Sequence, residues 1–111
     1  MNRDELVRRL LELPAVIGRE EVEYISAQQD LRWAREHLAN AEAALLLKPE
    51  EIDGKNAEQR TAQLRVRTMA ERKRLLDAEL EEDRYARRLH ELQNELASLR
   101  AVARLLAADA A

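Results

Sequence analysis

The chain has 111 residues and a formal net charge of −3, with 37% charged and 3% aromatic residues, no Cys, no Phe, and two each of Gly and Pro. This length predicts one domain spanning residues 1–111, but so few bulky side chains exclude an aromatic-rich globular interior. The absence of Cys excludes disulfides and thiolate metal sites, and the charge is too small to name a partner.

Ala, Leu, Glu, Arg and Gln dominate, which is the profile of long helices and coiled coils. No stretch approaches the roughly 18 consecutive apolar residues of a membrane span. The opening "MNRDELVRRL" sets acids and arginines too close to its leucines for a secretory signal. The expected location is therefore the cytoplasm, with no membrane partner.

In chain order, residues 3–13 predict a short amphipathic helix. Leu6, Val7, Leu10, Leu11 and Leu13 follow the helical period, Asp4 and Glu5 favour its positive end, and Pro14 stops it. After the connector "PAVIG" a long helix is expected over about residues 20–47. It carries a heptad seam of Tyr24, Ala27, Leu31, Ala34, Leu38, Ala41 and Leu45. Alternating small and large residues along that seam suit close antiparallel pairing. Pro49 and Gly54 mark a turn over residues 48–56, and a third helix is expected over about 57–108, with neither Gly nor Pro inside.

That third helix presents two apolar seams. The first is Ala62, Val66, Met69, Leu76 and Leu80, with Lys73 in the slot between Met69 and Leu76. The second is Tyr85, Leu89, Leu92, Leu96, Leu99, Ala103 and Leu106. The five-residue step from Leu80 to Tyr85 rotates the stripe by about 140°. A hairpin of the second and third helices would cover the first seam and leave the second projecting. Because helices in water depend on packing, the second seam needs cover, from the short first helix that the hairpin returns to the same end or from another copy of the chain, and a homo-oligomer interface, with a dimer favoured, is expected. Val22, Ile25, Trp33, Ala44 and Leu47 form another strip in need of cover.

The corner "DGKN" lacks what a phosphate loop needs: a preceding strand, a second Gly at the required spacing, and a Ser or Thr after the Lys. Alternating calcium ligands are also missing. A turn accounts for the residues instead, with Asn56 as N-cap and Gln59 completing a capping box. His37 and His90 have no partner at metal-binding spacing, no nucleophile–base arrangement is present, and the acids sit among bases at helical spacing. No catalytic, cofactor or metal residue is expected, and the chain is read as non-enzymatic.

Between Arg60 and Arg74 lie six basic residues (Arg60, Arg65, Arg67, Arg72, Lys73 and Arg74) against the single acid Glu71. Arg60, Arg67 and Arg74 recur every seven residues and are expected to face water, with Arg65 and Arg72 on an adjacent face. Together with Lys55 they make a candidate contact to a nucleic-acid backbone. No neighbouring aromatic is present to stack a base, and the acids Asp77, Glu79, Glu81, Glu82 and Asp83 downstream offer the rival reading of salt bridges to a second chain.

The stretch "DGKNAEQRTAQL", Asp53 to Leu64, resembles a D-G-K-N-x-x-x-R-x-x-Q-L segment of small helical proteins of tailed phages and prophages. Those proteins are often encoded among replication and recombination genes and mostly lack an assigned function. The resemblance implies a phage or prophage origin and a DNA-metabolism setting, and brings no activity with it. The expectation is an all-α protein, a short helix followed by a long antiparallel helical hairpin. It would act as a self-associating adaptor or accessory factor with an unknown protein partner. The alternative is an accessory factor that binds nucleic acid.

Overall fold

The structure is a computed structural model of the chain, and residues 1–110 are described. Its elements are α1 (Arg3–Leu46), α2 (Ala57–Arg67) and α3 (Met69–Ala110), with no strand among the described residues. The chain divides into two compact units: Met1–Ser26 with the stretch from Asp83 onward, and Ala27–Glu82.

In the first unit, the opening of α1 lies antiparallel to the end of α3. The pairing runs in opposite directions, Arg9 meeting Glu95 and Glu20 meeting Arg88. Leu13, Ile17 and Leu92 form the buried cluster, with Val16, Leu89, Leu96 and Leu99 packed against it. In the second unit, Arg72 pairs with Glu42 while Arg74 lies over Trp33, again an antiparallel order. Ala27, Leu31, Ala34 and Leu38 are buried there on α1, as the heptad seam predicts.

The expected break at Pro14 does not occur: α1 is one helix from Arg3 to Leu46, with Pro14 inside it. An interior proline costs about 3 kcal/mol. On either side of it Leu13 is fully buried and Ile17 nearly so. Each such side chain contributes roughly 1.5–3 kcal/mol, enough to offset the proline. The ring itself falls on the exposed face. Gly18 is likewise helical and exposed rather than an ending.

The third helix differs in two ways. It is interrupted at Thr68, whose backbone N–H donates to the carbonyls of Leu64 and Arg65. Its buried stripe also keeps a single phase. Leu64, Thr68, Glu71, Leu75, Ala78, Glu82, Tyr85, Leu89 and Leu92 are all buried or half-buried at alternating steps of four and three. The expected first seam is therefore on the outside: Val66, Met69, Leu76 and Leu80 are 54–66% exposed.

Most of the expected oligomer seam packs within the first unit instead, with Leu106 left 47% exposed. Leu92 is buried against Leu13 and Ile17, Leu89, Leu96 and Leu99 pack on that cluster, and Tyr85 is half-buried. Ala103 and Leu106 line a hollow with Leu6 and Leu10. The residues read as a separate first helix are what these side chains needed.

Candidate functional site

The corner between α1 and α2 is built almost wholly from side-chain hydrogen bonds. Asn56 caps α2 by accepting from the Gln59 amide at 2.8 Å. Gln59 Oε1 reaches back to accept from the Lys55 amide at 2.8 Å, one residue before the N-cap whose own amide the expected capping box would engage. Gln63 reaches back across the turn, accepting from the Gly54 amide and donating to Asp53 Oδ1, both at 2.8 Å. Arg60 Nη1 donates to the Gly54 carbonyl at 3.1 Å. The amides that a phosphate would need at Gly54, Lys55 and Gln59 are thus already taken. Gly54 is required by proximity rather than by torsion, since no glycine has a positive φ. A Cβ at Gly54 would stand 2.8 Å from the Arg60 nitrogen and from Gln59 Cβ.

The candidate nucleic-acid residues do not form one free row. Arg72 donates from Nη2 to Glu42 at 3.0 Å and from Nε to Thr68 Oγ1 at 3.0 Å. Thr68 itself is fully buried and its hydroxyl donates to the Leu64 carbonyl at 2.7 Å. Arg74 sits 5.2 Å from the centroid of the Trp33 ring, a cation–π contact. Trp33 also stacks on His37 with centroids 4.8 Å apart. The hollow of about 370 Å³ beside Arg74 is lined by Asp30, Asp77 and Glu81 as well as Trp33, surroundings hostile to a phosphate. Lys55, Arg60, Arg65 and Arg67 remain exposed.

On the outer side of α2 and α3 in the second unit runs the strip Ala62, Val66, Met69, Lys73, Leu76 and Leu80, exposed at every position. Steps of four and three keep these side chains on one helix face. The four large ones would normally be withdrawn from water. Beside Ala62 and Val66 opens a hollow of about 350 Å³, completed by Glu51, Gln63 and Arg67. This apolar face, interrupted by Lys73 and flanked by charges, is the feature best suited to receive a partner. The strip was legible as a periodic pattern, but hydrophobicity alone assigned it to the interior.

No group of three or more His, Cys, Asp or Glu is placed to hold a metal among the described residues. None of the helices is long and apolar enough to cross a membrane. No family model, curated protein or solved structure matches the chain.

Proposed function

We propose that this chain is a non-enzymatic helical adaptor or accessory protein that works by presenting an outer helix face to a protein partner. The observation that carries the reading is the exposed strip Val66, Met69, Leu76 and Leu80, which the intramolecular seam leaves uncovered. Ordered, apolar and periodic faces of this kind are recognised by other helices. A phage or prophage setting among DNA-metabolism genes belongs to this proposal and rests on the segment Asp53 to Leu64 alone.

The test is site-specific photo-crosslinking in the native host. A photoreactive residue replacing Leu76 or Val66 should give discrete protein adducts, whereas one replacing the buried Leu92 should not. Failure to obtain adducts from either strip position would overturn the adaptor reading.

A second reading, an accessory factor for nucleic acid, is favoured by the exposure of Lys55, Arg60, Arg65 and Arg67 near the corner. Four such contacts would make binding weak and steeply salt-dependent. Titration of labelled single- and double-stranded DNA at two salt concentrations tests it. Binding lost in an Arg65→Glu, Arg67→Glu variant would support it, and no binding at low salt would sink it.

A further inference from the structure

We infer that the Asp53–Gly54 peptide bond is a site of spontaneous isoaspartate formation, and that the Gln63 side chain holds it inert while the corner is closed. Packing demands a glycine at residue 54, because a Cβ there would stand 2.8 Å from the Arg60 nitrogen and from Gln59 Cβ. A glycine after an aspartate leaves its amide nitrogen unshielded by any Cβ, so that nitrogen can turn on the preceding side chain. The close fit at Gly54 thus imposes a chemical liability on Asp53, which is exposed to the water that the reaction needs.

The modification runs in two steps with water as the only other reactant. The Gly54 nitrogen attacks Cγ of the Asp53 carboxyl group and forms an N–Cγ bond. The amide proton and the carboxyl hydroxyl leave as water, and a succinimide ring remains. Water then opens the ring at one of its two carbonyls. Cleavage of the N–Cγ bond restores aspartate, whereas cleavage between that nitrogen and the Asp53 main-chain carbonyl carbon leaves the chain running through the side chain as isoaspartate. The main chain is then one carbon longer at the corner, and Gly54 is displaced from its fit against Gln59 and Arg60.

Gln63 engages both reacting groups at once. Its Oε1 accepts from the Gly54 N–H and its Nε2 donates to Asp53 Oδ1, both at 2.8 Å. A primary amide carries acceptor and donors side by side, so one planar group bridges nucleophile and electrophile. That bridge must let go before the nitrogen can close on the carboxyl carbon. Gln63 is half-buried and carried on α2, while Arg60 Nη1 holds the Gly54 carbonyl at 3.1 Å. Ring closure therefore waits on local opening of the corner, and isoaspartate is a chemical record of that opening.

The test incubates the full chain at neutral pH, in buffer and in denaturing urea. Isoaspartate at residue 53 is followed by chromatography and fragmentation mass spectrometry of its proteolytic peptide. The folded chain should convert about tenfold more slowly than the unfolded one, the order that two net hydrogen bonds supply. Gln63→Ala should bring the rate in buffer close to that in urea, with an unchanged helical circular dichroism spectrum. Gln63→Glu keeps an acceptor for the Gly54 amide but repels Asp53, and should also accelerate conversion. Gln59→Ala removes a corner bond that touches neither reacting group and should leave the rate unchanged. Equal rates in buffer and urea, a wild-type rate in Gln63→Ala, or equal acceleration by Gln59→Ala would overturn the inference. If Gln63→Ala loses helix, Gln63→Glu decides, and a wild-type rate there overturns it as well.

Discussion

The two glycines behave oppositely, and each difference is a measurable consequence of what surrounds the missing side chain. At Gly18 a Cβ would meet nothing within 4 Å, in the exposed interior of a long helix. Gly18→Ala should therefore stabilise the protein by about 1 kcal/mol, the difference in helix propensity, read from denaturant unfolding. At Gly54 the added carbon would press on backbone and on Gln59. Gly54→Ala should destabilise by about 1–3 kcal/mol in the same measurement, because the capping network cannot yield without losing bonds. The corner's chemistry could be read from residue types alone as far as Asn56 and Gln59. The return of Gln63 to Gly54 and Asp53 could not, since it depends on how sharply the chain reverses.

Among the elements, α1 shows how a register can override a breaker. Leu6, Leu10, Leu13, Ile17, Glu20 and Tyr24 continue the heptad of the later seam back through Pro14 and Gly18 at unbroken steps of four and three. That phase was present in the residues but concealed by the two punctuating ones. Glu20 is its polar exception. One carboxylate oxygen accepts from Arg88 Nε at 3.2 Å, while the other is buried without a hydrogen-bond partner. Arg88 is itself 56% exposed and stays hydrated without its partner, so removing Glu20 strands no buried charge and relieves the unpartnered oxygen. Glu20→Leu should accordingly raise the melting temperature, measured by circular dichroism, and a clear fall would show that the Arg88 pair matters more than the orphaned oxygen.

In α3 the same logic runs the other way. The outer strip is more apolar than Thr68, Glu71 and Glu82 of the true seam, so composition picked the wrong face. Phase continuity with Tyr85, Leu89 and Leu92 identifies the right one, because a helix that keeps one stripe toward its neighbour cannot turn by about 140° midway.

For the whole molecule, sensitivity of folding to acid follows from carboxylates that are paired in the folded state. The Arg9–Glu95 pair in the first unit has two bonds, at 2.6 and 2.8 Å. Its hydrogen bond from Arg9 holds the Glu95 carboxyl below its ordinary range. A depressed carboxylate pKa contributes stability that is present above the unfolded value and lost as pH falls through the folded one. Melting temperature should thus drop on acidification through and below the ordinary carboxylate range. Glu95→Gln should lower it at neutral pH while flattening that part of the pH profile. A variant whose profile parallels the wild type would show that the pair contributes nothing to acid sensitivity.

Helix content, the heptad of α1 from Tyr24 to Leu45, the reversal at residues 48–56 and the cap at Asn56 followed from the sequence itself, since each depends on contacts within a few residues. The continuity of α1, the face that α3 buries and the exposure of the outer strip were decided only by tertiary packing. There the free energy of burying Leu13, Ile17 and Leu92 together outweighs a local breaker. A single shared seam, and not local hydrophobicity, determines which side chains meet water.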